Sequence, residues 1–245
     1  MKSGFYYFNI SLRAGFKVGV YDNFVDMLKQ HSDCEYKSFS ERLTPGMGES
    51  VGVRVPVLKD FAKKAAKGEY MDFINRPDSG LYEERLVKGL IICYINEDIE
   101  TRIRLLKDFL NLADNWAVCD VVSCAFKFKK KDSGIVFDFV KKYISNEAEF
   151  KKRFAVVMIL AHFVDENHID EILKMLNNID DERFYVSMAR AWALSVCFVK
   201  FEEKTYDILK NGDIDKATLN RAISKINQSK RVSVSAKERV KKLRA

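Results

Sequence analysis

The chain has 245 residues, 47% hydrophobic, 31% charged and 12% aromatic, with 11 Gly, 3 Pro and a formal charge of +7. That composition excludes a disordered chain, a collagen-like fibre and a disulfide scaffold, and no stretch approaches the roughly 20 uninterrupted apolar residues of a membrane helix. One compact domain or one solenoid outside the membrane is the expectation.

In chain order, positions 1–20 carry an aromatic patch, Phe5-Tyr6-Tyr7-Phe8, without a signal-peptide pattern, and are read as an extension ahead of a single domain over 21–245. Apolar residues then recur at three and four spacing in 55–66, 81–94, 99–112, 116–128, 135–144, 150–163, 169–176, 184–199, 206–209 and 214–226. Gly, Asn, Asp and Ser fall between these stretches, and no segment alternates with the period of a strand. The pattern predicts an all-α protein of about a dozen helices. The richer helices begin near Leu81, Asn115, Phe150 and Phe184, a period of about 34 to 37 residues, and Trp116, Arg153 and Arg190 recur at equal steps. A fixed period of helix pairs predicts an α-solenoid. The tetratricopeptide signature is missing, which favours about six irregular HEAT-like antiparallel pairs in a superhelix with a concave groove.

The five cysteines, Cys34, Cys93, Cys119, Cys124 and Cys197, are odd in number and mostly lie in apolar runs, as in Ile91-Ile92-Cys93-Tyr94. They read as reduced thiols of a cytoplasmic protein. The charge is patchy. From Arg221 onward nine basic residues stand against the single acid Glu238, and Lys127-Phe128-Lys129-Lys130-Lys131 forms a second cluster. Patches of this kind suit a polyanion, most simply nucleic acid, although basic terminal helices also serve as plain solvated surface.

Three positions break the amphipathic pattern. Trp116, Asp120, Ser123 and Lys127 fall on one helix face, with Val118, Val121, Val122 and Ala125 opposite, so a large aromatic stands one turn from a carboxylate on a polar face. Arg153 is a guanidinium beside apolar Val156, Val157 and Leu160, and needs an anion, either an internal carboxylate or a phosphate. Trp192 lies among apolar neighbours and, taken singly, reads as core. His31, His162 and His168 have no metal-ligand spacing with the cysteines, and no nucleophile motif or phosphate-binding Gly loop is present.

The blocks Leu43-Thr44-Pro45-Gly46 with Gly52-Val53-Arg54-Val55-Pro56, Asp114-Asn115-Trp116-Ala117-Val118-Cys119-Asp120, Arg153-Phe154-Ala155-Val156-Val157-Met158 and Ala191-Trp192-Ala193-Leu194-Ser195 resemble the DNA alkylation repair (AlkD-like) family of HEAT-like-repeat DNA glycosylases. The resemblance runs from about Tyr21 to the C-terminus. It implies a solenoid whose concave basic face grips duplex DNA and which excises positively charged N3- and N7-alkylated purines with no metal and no organic cofactor. Carried over residue by residue, it implies catalytic roles for Trp116, Asp120, Arg153 and Trp192. Basic side chains expected to meet DNA are Lys127, Lys129, Lys130, Arg190, Lys225, Lys230 and Arg231, in a protein that works as a monomer. Ala117 departs from the family, in which a second aromatic often follows the first Trp, and bears on substrate range. Two other readings stay open: a non-catalytic module for damaged or branched DNA, and a protein-binding solenoid whose tryptophans anchor a peptide.

Overall fold

The computed structural model describes residues 19–244. The aromatic patch at 5–8 lies outside the described residues, as does most of the extension expected over 1–20, and Val20 already opens a helix. The described residues form fourteen α-helices: α1 (Val20–His31), α2 (Cys34–Leu43), α3 (Val55–Ala65), α4 (Tyr70–Ile74), α5 (Tyr82–Tyr94), α6 (Ile99–Phe109), α7 (Trp116–Ala125), α8 (Ser133–Ile144), α9 (Glu149–His162), α10 (Ile169–Asn177), α11 (Phe184–Lys200), α12 (Glu202–Asn211), α13 (Lys216–Gln228) and α14 (Val234–Lys241). A single 3-10 turn, Lys130–Asp132, precedes α8. Among the described residues there is no strand, only one isolated parallel bridge between Glu49 and Leu81.

Local chemistry sets many of the starts. Asp33, Asp98, Asn115, Asp215 and Ser233 each accept a hydrogen bond from a backbone N–H three residues on, satisfying a donor that the first turn leaves orphaned. Pro56 sits in the first turn of α3, where its missing N–H costs nothing.

Packing then sorts the helices. α3, α5, α7, α9, α11 and α13 touch in succession and form one row, while α6 packs on α8 and α10 on α12 in a second. Their shared core is continuous from Phe24 to Val240, and the fold is an all-α solenoid. The rows approach closely at Gly89 of α5, where a Cβ would stand 2.5 Å from Val122 Cγ2 and 2.6 Å from Phe109 Cζ. Two buried arginines tie neighbouring units together through helix C-termini. Arg102 donates to the carbonyls of Ile92, Cys93 and Lys127, and Arg190 to those of Leu176, Asn177 and Asp213. Each places a cation at the negative end of a helix and satisfies its last carbonyls.

Several sequence expectations change. The helix expected over 116–128 stops at Ala125, because Phe126 leaves helical geometry (ψ 90°) and buries its ring completely. The first-row helices begin at Val55, Tyr82, Trp116, Glu149, Phe184 and Lys216. Trp116 is therefore the first residue of its helix, Arg153 the fifth and Arg190 the seventh, so their equal spacing does not make them equivalent.

Candidate active site

Asn115 fixes the start of α7. Its side chain, on a residue only 1% exposed, accepts from the Val118 N–H at 3.0 Å, which sets the direction in which the next two turns point their side chains. Trp116, Asp120 and Cys124 then follow one another at four-residue steps on the side of the helix that is not fully covered. Ser123, expected on the same face, is instead buried, its hydroxyl donating to the Cys119 carbonyl at 2.7 Å. Lys127, expected on that face too, lies beyond the helix end and is exposed.

Arg153 on α9 meets Asp120 with both edges of its fork. Nε donates to Oδ1 at 2.9 Å and Nη2 to Oδ2 at 2.6 Å, while Nη1 donates to the Tyr185 carbonyl on α11 at 2.7 Å. One guanidinium thus joins α7, α9 and α11, and the anion that its apolar setting demanded is an internal carboxylate. Two of its five N–H groups have no partner among the described residues. The pair is largely shielded, with side-chain exposures of 7% for Arg153 and 15% for Asp120. Burial pushes the Asp120 carboxyl above the ordinary carboxylate range, the Arg153 hydrogen bonds and charge pull it back, and Lys225 pulls more weakly in the same direction.

The two tryptophans lie on α7 and α11 of the first row, with α9 between them. Trp116 is half-buried, and its indole Nε1 donates to the Leu43 carbonyl at the end of α2, at 3.2 Å. The loop after α2 is itself anchored, because the buried Glu83 carboxylate accepts from the Ser50 hydroxyl and from the backbone N–H groups of Val51, Gly52 and Val53. Gly52 is required there: its φ is +81° and a Cβ would lie 2.2 Å from the Asp33 carbonyl. Trp192 on α11 is half-buried against the core. Three clefts among the described residues, beside α1 and α3, between α8 and α10, and around the loops at 95–100 and 127–132, are lined by none of Trp116, Asp120, Arg153 and Trp192.

The expected DNA-contacting side chains divide. Lys127, Lys129, Lys130, Lys230 and Arg231 are exposed. Arg190 is not available to DNA: it is 2% exposed and its guanidinium is committed to three backbone carbonyls and Asp215. The expectation that it meets DNA failed because the sequence shows a cation but not the helix ends around it. Lys225 on α13 is half-buried and feels the charges of both Arg153 and Asp120, with desolvation and the Arg153 charge lowering its ammonium pKa. Lys59 on α3 was not anticipated. It is half-buried and, with Lys127, acts on the Cys124 thiol, which burial and the Asp120 charge push up. Its sequence neighbourhood, Val57-Leu58-Lys59-Asp60-Phe61, reads as an ordinary amphipathic helix, so no signal marked it. Among the described residues, no three His, Cys, Asp or Glu side chains are grouped to hold a metal ion.

An all-α solenoid with a shielded Asp–Arg pair that links three helices of one row, and tryptophans on two of them, is a repeat protein with an ion pair worked into that row. The chain belongs to the DNA alkylation repair enzyme family, whose model matches residues 25–224. Its role is therefore in DNA repair, as an enzyme.

Proposed function

We propose that this protein is a DNA glycosylase of base excision repair, which hydrolyses the N-glycosidic bond of positively charged N3- and N7-alkylated purines in duplex DNA. The observation that carries this reading is Asp120, a carboxylate held in a shielded position by Arg153, one turn from the half-buried Trp116. Alkylation makes the purine a cation that leaves as a neutral base, so the barrier lies in the oxocarbenium-like sugar left behind. A fixed negative charge beside C1′ stabilises that sugar, and the same carboxylate orients the water that adds to it and accepts the water's proton. Losing one preorganised electrostatic contact of this kind costs roughly 3–4 kcal/mol of transition-state stabilisation, a factor of about 10² to 10³ in rate. Trp116 and Trp192 offer π faces to the cationic base and restrict water, and Arg153 keeps two N–H groups for a backbone phosphate.

On this reading the enzyme reads the distorted backbone rather than enclosing a flipped base. The five unpaired cysteines support a reducing compartment, and the reading places a monomer built of HEAT-like pairs in the cytoplasm. Incubation with methylated duplex DNA tests it. Release of 7-methylguanine and 3-methyladenine with stoichiometric abasic sites is expected, and binding without release contradicts it.

A second reading, a module that binds damaged DNA without base release, draws on the engagement of both Asp120 oxygens by Arg153, which offsets the charge that catalysis needs.

A further inference from the structure

Trp116 has two supports. Its backbone opens α7 behind Asp114 and the Asn115 cap, and its indole Nε1 donates to the Leu43 carbonyl. Both supports lead back to the start of α5. Glu83 there is fully buried, and one carboxylate oxygen accepts from the Ser50 hydroxyl and from the N–H groups of Val51, Gly52 and Val53 at 2.9 to 3.2 Å. The other oxygen has no hydrogen bond among the described residues. A buried carboxylate that forms no ion pair among those residues is costly, and what it secures is the course of 50–53. Gly52 then lies against the Asp33 carbonyl and Lys37, while Arg54 donates to Asp33 at 2.9 Å and stands 4.5 Å over the Tyr36 ring. This segment therefore grips the first turn of α2, a helix that buries no residue of its own and whose far end supplies the Leu43 carbonyl. The Tyr82 N–H adds a second hold on the same loop, donating to the Glu49 carbonyl at 2.8 Å.

Arg85, two residues after Glu83, leaves the helix on another side. Nε and Nη2 donate to Asp78 at 2.9 and 2.6 Å, and Nη1 donates to Asp114, whose second oxygen accepts from Asn115 Nδ2 at 3.0 Å. A cation so near a helix N-terminus is opposed by the helix dipole, so its carboxylate partners set its place.

We infer that Glu83 and Arg85 are positioning residues for Trp116. Glu83 fixes the loop and helix that carry the acceptor of the indole N–H, and Arg85 fixes the cap from which the side chain is aimed. The inference rests on the reading of Trp116 as a wall of the site and adds what sets its tilt. A cation is attracted to an aromatic ring when it stands over the face within about 6 Å, so a tilted indole meets a cationic base less well.

Trp192→Phe leaves Trp116 as the single tryptophan, so emission and acrylamide quenching then report on that indole alone. In this background Glu83→Gln and Arg85→Gln should each red-shift the emission and speed the quenching, and Arg85→Gln keeps the test readable if Glu83→Gln folds poorly. Arg190→Met, which loosens the fold at α10 and the α12–α13 connection, should leave both signals as in the parent. A folded variant of Glu83 or Arg85 with the parent's emission and quenching, or an equal change in Arg190→Met, overturns the inference. In otherwise wild-type protein the two glutamine variants should release alkylated base about tenfold more slowly at saturating protein. Combined with Trp116→Phe, which has no indole N–H to hold, they should cost less than about twofold further, and a loss that persists undiminished also overturns the inference. Failure of the glycosylase reading shows separately, as no release by the wild type, and the emission arm still decides the positioning.

Discussion

Asp120 needs its charge for the proposed chemistry, and its surroundings make that charge costly. Burial raises its carboxyl pKa above the ordinary value, against the pull of Arg153. The sign follows: a carboxyl raised on folding contributes stability while protonated, present below the unfolded value and lost as pH rises through the folded one. The rate of base release should accordingly fall with decreasing pH along a limb that lies above the usual carboxylate range near 4. Arg153→Gln removes the lowering influence and should shift that limb further up, as single-turnover rates across pH would register; a limb that moves down contradicts the assignment. Arg190 makes the opposite prediction. Since its guanidinium staples α10 and the α12–α13 connection, Arg190→Met should cost about 3–5 kcal/mol of folding stability by leaving buried carbonyls unpaired. The salt slope of DNA binding should stay as in the wild type, and thermal melts with binding titrations at several salt concentrations check both.

At the scale of elements, α7 depends on its cap and on a close neighbour. Asn115→Ala should cost about 1–2 kcal/mol and fray the turn that carries Trp116. Gly89→Ala should cost about 1–3 kcal/mol, because its Cβ has no room against Val122 and Phe109 and α5 must move off α7. Denaturant melts of both variants measure this, and a neutral Gly89→Ala contradicts the packing. The strongly periodic helices were legible in the sequence because their apolar stripes face a core. α2 buries no residue and α1 buries only Phe24 and Leu28, so both escaped a reading based on stripes. In the site, Trp116 and Arg153 stood out as side chains at odds with their helix pattern. Their partners, the Leu43 carbonyl, Asp120 and the Tyr185 carbonyl, come from distant segments, and only Asp120 had been picked out as well. Lys59 and Arg190 illustrate the limit: whether a cation stays without a partner or is tied to a helix end depends on the neighbouring helix, which one chain segment does not encode.

At the scale of the molecule, cations that form no ion pair among the described residues collect at several places, Lys59 and Lys127 near Cys124, Lys129 and Lys130 in the loop before α8, and Lys225, Lys230 and Arg231 towards the C-terminus. Duplex binding should therefore fall steeply with salt. Each phosphate contact contributes about 0.9 to the slope of log K against log salt, so Lys129→Gln with Lys130→Gln should flatten it by up to about 2, and an unchanged slope removes that loop from the interface. The row of helices brings α7, α9 and α11 together at one guanidinium, and the central claim is that the carboxylate it holds breaks a glycosidic bond. The measurement that tests this most directly is release of 7-methylguanine and 3-methyladenine from methylated duplex by wild type and Asp120→Asn, with duplex affinity recorded on the same preparations. The account predicts release by the wild type, a loss of about 10² to 10³ in rate for the variant, and comparable affinity for both. Equal release by the two proteins, or none by the wild type at full binding, would contradict it.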